Sequence, residues 1–112
     1  MTDAIERTLE FDVPPERVWR ALTDPEELAS WFPDEARDLE VRPGSGGWWH
    51  WETHGSYAVR FEVVDRPRRL VWVWARNPDV GVDDGPTTRV EWRLEPRNGG
   101  RGTRLHLRED GF

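Results

Sequence analysis

The sequence predicts an α+β domain: an antiparallel sheet with two short helices inserted after its first strand, in the order βααββββββ. Three observations carry that prediction. Apolar residues alternate with polar ones at the N-terminus, as in a half-buried strand. Two proline-led helix starts follow in quick succession. From about residue 36 onward the apolar period is two, broken at regular intervals by Gly, Pro and Asn clusters.

The first strand is read from Ile5, Leu9, Phe11 and Val13, which share parity and are expected to form a buried face, with Glu6, Thr8, Glu10 and Asp12 between them. Pro14 and Pro15 end it. Pro15 suits the first helical turn, where its missing N–H costs nothing, and Glu16 suits the positive end of the helix dipole. Val18, Trp19 and Leu22 then form a short apolar stripe. Asp24-Pro25-Glu26-Glu27 repeats the start signal, with Asp24 as N-cap. Leu28, Trp31 and Phe32 are predicted as the apolar side of this second helix, and Pro33 as its end.

Strands are predicted over Asp38 to Arg42, Trp48 to Thr53, Tyr57 to Val64, Arg69 to Ala75, Thr88 to Glu95 and Thr103 to Arg108. Turn-forming runs separate them, among them Pro43 to Gly47, His54-Gly55-Ser56, Asp65 to Arg68 and Asn98 to Gly102. Val90, Trp92, Leu94, Leu105 and Leu107 make one face of the last two strands. Arg89, Glu91, Arg93, Glu95, Arg104, His106 and Arg108 make the other, a solvated charge ladder. Leu70 to Ala75 is apolar on both sides, which places it centrally or under a helix.

Composition bounds the rest. With 112 residues the chain makes one domain. Leu, Ile, Val and Phe supply only about a fifth of it, near the level at which disorder is suspected. Eight Trp tip the balance toward a folded chain, since each ring buries about 200 Å². A net charge of −6 argues against a general phosphate-backbone binder. Arg66, Arg68 and Arg69, with Arg97, Arg101 and Arg104, form local basic clusters at two hairpins, and no nucleic-acid role is assigned to them. Without Cys there is no disulfide, thiolate metal site or Cys nucleophile. The N-terminus has no apolar run and no stretch is long enough to span a membrane, so a cytoplasmic location is expected.

Candidate chemistry is sparse. His50, Glu52 and His54 share one side of an extended strand, yet His50 and His54 would lie about 13 Å apart, too far for one ion without a bend. No metal or cofactor is assigned. The charged pairs Glu91 with Glu95 and Arg60 with Glu62 face outward and read as solvated. No catalytic residue is assigned. Tyr57 is the single Tyr and would hydrogen-bond a ligand. Most of the indoles are expected in the core, with two or three lining a cavity.

The segment Val13-Pro14-Pro15-Glu16-Arg17-Val18-Trp19-Arg20-Ala21-Leu22-Thr23-Asp24-Pro25-Glu26-Glu27-Leu28, continuing into Trp31-Phe32, resembles the opening of START-like (SRPBCC superfamily) proteins. Within them it is most similar to homologues of the heat-shock-protein-90 ATPase activator's C-terminal domain. Val63-Val64-Asp65-Arg66-Pro67-Arg68-Arg69-Leu70-Val71-Trp72-Val73-Trp74 is similar to that family's mid-chain strand–turn–strand. Gly46-Gly47 and Gly99-Gly100 fit as well. The resemblance implies a helix-grip fold, a curved seven-stranded antiparallel sheet around a long C-terminal helix with a cavity between them. Here the chain ends at Phe112, so the expectation is a single domain over residues 1–112, cut off before that helix.

The function so implied is non-catalytic binding of a small hydrophobic molecule between the sheet and the Asp24-to-Phe32 helix. Trp31, Phe32, Trp49, Trp51, Phe61, Trp72, Trp74 and Trp92 would supply contact area, and Tyr57 orientation. A protein-interaction module, co-chaperone-like or self-associating through the concave face, is the alternative. A polyketide cyclase/aromatase-like enzyme is the second.

Overall fold

The computed structural model describes residues 3–112; Met1 and Thr2, which the expected single domain includes, lie outside the described residues. The element order is β1 (Ala4–Phe11), α1 (Pro15–Thr23), α2 (Pro25–Ala29), β2 (Glu35–Arg37), β3 (Gly46–Trp51), β4 (Gly55–Asp65), β5 (Arg69–Ala75), β6 (Thr87–Arg97) and β7 (Gly102–Asp110), with a 3₁₀ turn at Asn98–Gly100. The strands form one seven-stranded antiparallel sheet in the order β1-β7-β6-β5-β4-β3-β2. This is the α+β architecture that the alternation predicts.

β5, apolar on both sides, is the central strand. Its Leu70 and Trp72 pack toward the helices. Its Val71 and Val73 are also buried, on the convex side, where Glu91, Arg89 and Arg60 flank them in register. Long Arg and Glu stems cover such apolar ground while their charges stay in water. Those charges pair across strands, Arg69 with Glu91 at 2.5 Å and Arg89 with Glu62 at 3.1 Å. A register shift between Phe61 and Val63 marks a β-bulge, the device that bends a strand and deepens a sheet's curvature.

The two helices lie across the concave face. Their starts follow the sequence signals: Pro15 and Pro25 sit at first-turn positions, and the Asp24 carboxylate accepts hydrogen bonds from Glu26 N at 2.9 Å and Glu27 N at 3.2 Å. Val18, Trp19, Leu22 and Leu28 meet Trp49, Val59, Phe61, Leu70, Trp72, Val90, Trp92, Leu94 and Leu105 in a single core.

Three local expectations fail for identifiable reasons. The strand expected over Asp38 to Arg42 is instead β2 at Glu35–Arg37, because Asp38 turns to a φ of 52° and ends it. Leu39 and Val41 still pack against the core, but from a loop. The second helix ends at Ala29, so Trp31 and Phe32 are carried on the turn after it, held by Trp31 N and Phe32 N donating to Leu28 O at 3.1 and 2.9 Å. The apolar side of β1 is not buried: Ile5, Leu9 and Phe11, with Val13 just beyond the strand, are between 37% and 49% exposed. β1 is an edge strand, and α1 packs against β6 and β7 beside it while α2 packs against β2.

Gly46 and Gly47 are needed for close approach. A Cβ on Gly46 would stand 1.8 Å from the Val59 carbonyl oxygen, and one on Gly47 2.6 Å from that of Arg37. Gly46→Ala is therefore expected to cost about 2–3 kcal/mol, read as a lowered urea midpoint at unchanged m-value.

On the convex side, Glu10 of β1 pairs with Arg97 and, at 3.4 Å, with Arg104. The Arg97 hydrogen bond, helped by Arg104, holds the Glu10 carboxyl below the usual carboxylate value against a smaller opposing effect of desolvation. A lowered native pKa means a contribution present above the unfolded value and lost as pH falls through the native one. Glu10→Gln should melt below the parent at pH 7, and thermal scans should show the gap closing in acid.

Candidate apolar groove on the concave face

The site begins with the turn Ser30 to Asp34. Pro33 is fully buried, Asp34 N donates to His50 O at 2.9 Å, and the Asp34 carboxylate accepts from Glu52 N at 2.8 Å. The turn is thereby tied to β3. Trp51 Nε1 donates to Phe32 O at 3.2 Å and Trp31 Nε1 to Ala21 O at 2.8 Å. These bonds fix Phe32 over the middle of the sheet, where its ring meets those of Trp31, Trp49, Trp51, Trp72 and Trp74 at centroid distances of 5.3 to 6.2 Å.

Two grooves remain beside this plug. The larger, about 320 Å³, is lined by Trp51, Tyr57 and Trp74 with Thr88, Glu109 and Phe112; His54, Ala75 and Arg76 complete it. The smaller, about 180 Å³, lies where a groove between sheet and helix turn is expected, and is bounded by Trp31, Phe32, Trp72, Trp74, Trp92 and Glu109 among others. Trp74 and Glu109 line both.

The residues predicted to contact a ligand divide accordingly. Trp51, Tyr57 and Trp74 come together in the larger groove, with ring pairs at 5.6, 6.0 and 6.1 Å. Trp31, Phe32, Trp72 and Trp92 border the smaller one, Trp31 47% exposed and edge-on to Trp92 at 6.0 Å. Trp49 and Phe61 are fully buried in the core and line neither groove. The buried indole N–H groups of Trp49, Trp72 and Trp92 have no hydrogen-bond partner among the described residues. Their rings sit edge-on or tilted against aromatic neighbours, Trp49 on Trp72 at 5.1 Å and Trp72 on Trp92 at 5.5 Å, where π faces are the acceptors at hand.

Sequence reasoning missed Glu109 and Thr88. Glu109 Oε2 accepts from Thr88 Oγ1 at 2.7 Å and from Trp74 Nε1 at 3.1 Å. Leu105, Leu107 and Glu109 share parity, but a strand ended at Arg108 hides that continuation. Thr88 has the parity of Val90 and Trp92, and its burial to 3% is the signature of a hydroxyl facing the core.

The other candidate chemistry does not assemble. Among the described residues no group of three His, Cys, Asp or Glu side chains is placed to hold a metal; His50 Nδ1 instead faces Ser56 Oγ at 2.8 Å. Arg66, Arg68, Arg69, Arg97 and Arg104 all have carboxylate partners. No described helix is long and apolar enough to cross a membrane.

A curved antiparallel sheet holding two short helices and an aromatic groove defines a START-like domain. More narrowly, the chain belongs to the family of activator of Hsp90 ATPase homolog 1-like proteins, whose profile matches residues 12–112. Among solved structures it is similar to MLL2253 from Mesorhizobium loti, at 22% identity and a TM-score of 0.79, covering 98% of this chain and 77% of that one. It is similar to CalU16 from Micromonospora echinospora, at 27% identity and a TM-score of 0.71, covering 98% of this chain and 61% of that one. PFC0360w, an HSP90 activator from Plasmodium falciparum, matches at 21% identity and a TM-score of 0.68, covering 97% and 73%. No curated protein sequence matches it.

The plug position dictates a stability ranking. Phe32→Ala should cost about 3–4 kcal/mol, whereas Trp31→Ala, at the exposed rim, should cost less than half of that. Paired chemical-denaturation curves check the ratio.

Proposed function

We propose that the protein is a non-catalytic binder of a small hydrophobic molecule, seated in the concave groove formed by Trp51, Tyr57 and Trp74. The observation that carries this reading is the groove itself: about 320 Å³ of concave space walled by aromatic rings with a few polar groups, Tyr57, Thr88 and Glu109. Apolar walls with sparse convergent polar groups characterise small-molecule sites, and the volume falls within their usual range. The smaller groove adjoins it through Trp74 and gives a ligand room to extend toward Trp31.

The neutral fluorophore N-phenyl-1-naphthylamine tests the reading. It should bind saturably at one site and quench indole emission. Trp74→Ala should weaken it by about tenfold or more, equivalent to about 1.4 kcal/mol. Phe112→Ala, at an exposed rim position that leaves the sheet intact, should weaken it severalfold. Absence of saturable binding, or indifference to both substitutions in folded protein, would remove the groove as a ligand site.

A second reading, a protein-interaction module, is favoured by the apolar row Ile5, Leu9 and Phe11 exposed on the edge strand β1 and continued by exposed Val13 just after it. Exposed apolar rows of this kind mark interaction surfaces, and one fold relative is described as an HSP90 activator. Self-association through β1 would appear as concentration-dependent sedimentation abolished by Leu9→Arg.

A further inference from the structure

We infer that the molecule taken by the groove carries an ammonium group, and that Glu109 reads it through a direct N–H hydrogen bond. The inference rests on the ligand-binding reading above and adds the chemical class.

Glu109 stands on the concave side of β7, opposite Val90 on one neighbouring strand and Ile5 on the other. A carboxylate among apolar neighbours loses hydration and requires compensating donors. It has two, and both reach the same oxygen: Thr88 Oγ1 at 2.7 Å and Trp74 Nε1 at 3.1 Å converge on Oε2. Thr88 is 3% exposed and Trp74 is fixed among Phe32, Trp51 and Tyr57, so the carboxylate is held in place by its surroundings. An ionised carboxylate accepts at both oxygens, and among the described residues no donor reaches Oε1. The complement of that open oxygen is a donor, which an anionic ligand does not offer.

The aromatic walls suit the apolar body of such a molecule: Trp51, Tyr57 and Trp74 surround the same groove and offer ring surface to a flat hydrocarbon. The basic side chains in the lining are His54 and Arg76. Both are exposed, and the Arg76 guanidinium lies 6.0 Å over the Phe112 ring. Arg76 sets a cost for a second positive charge at the rim, so the ammonium belongs at the Glu109 end and the apolar body toward Trp51 and Tyr57. The net charge of −6 draws cations to the protein from a distance.

Three probes of one shape separate the parts of this inference by isothermal titration calorimetry at pH 7: 2-naphthylmethylamine (ammonium), 2-naphthylmethanol (neutral) and 2-naphthoate (anionic). The ammonium should bind about tenfold tighter than the alcohol, the scale of one charge-assisted hydrogen bond, and the naphthoate weakest. Glu109→Gln keeps an acceptor for Thr88 and Trp74 and removes the charge. It should erase the preference for the ammonium over the alcohol. In unsubstituted protein the preference should shrink at high salt. If the alcohol binds and the ammonium gains nothing, or if the gain survives Glu109→Gln, the role of Glu109 is overturned and the groove stands. If none of the three binds, the ligand-binding reading itself falls.

Discussion

The seating of Phe32 against five indoles is the contact on which the concave half of the molecule depends. A sheet this curved cannot close on its own inner face, and the helix pair supplies only Val18, Trp19, Leu22 and Leu28 as buried apolar cover. The turn after α2 adds the missing volume. It works because the groups near Phe32 have somewhere to go: its N–H to Leu28, its carbonyl to the Trp51 indole, and Asp34, after Pro33, to His50 in β3 and to Glu52 just past its end. A flexible loop would lose the ordering entropy of a large ring each time it closed. These bonds hold the turn in the geometry that seats the ring.

That plug also decides where space is left. With Phe32 over Trp49 and Trp72, those two rings become core, 0% and 1% exposed, and the concave face stays accessible only beside the plug. The convex side follows the opposite logic. Val71 and Val73 have no second layer above them, and alternating Arg and Glu stems with paired heads supply the cover. Exposed pairs of this kind add little stability individually, so their value lies in shielding valines and keeping the outer face hydrated. The two faces therefore differ in kind: one is closed by rings and the other by charges.

Much of this is legible in the residues. The helix starts at Pro15 and Pro25, the Asp24 cap, the limits of β5 and its central place all follow from local chemistry and two-sided apolarity. What the sequence hides depends on neighbours across the sheet. Alternation assigns Trp49, Trp51, Trp72 and Trp74 to one side, but cannot say which of them lies beneath Phe32 and which beyond it. The left-handed backbone at Asp38 displaces a strand whose apolar residues still find the core. The alternation of β1 correctly marks a strand and misleads about burial, because parity fixes a direction and not the presence of a covering layer.

Glu109 shows what a polar residue out of pattern can signify. Extending the parity of Leu105 and Leu107 by two residues puts a carboxylate where a valine or leucine would pack at no desolvation cost. Thr88 and Trp74 satisfy one of its oxygens, so the residue is held in a defined orientation and not merely tolerated. Holding it also fixes the Trp74 ring as the wall shared by both grooves. A group that enters from either groove meets the same carboxylate and the same indole. The edge at which the grooves meet is thus their most chemically specific point, and it is built from β5, β6 and β7 rather than from the helices that close the rest of the face.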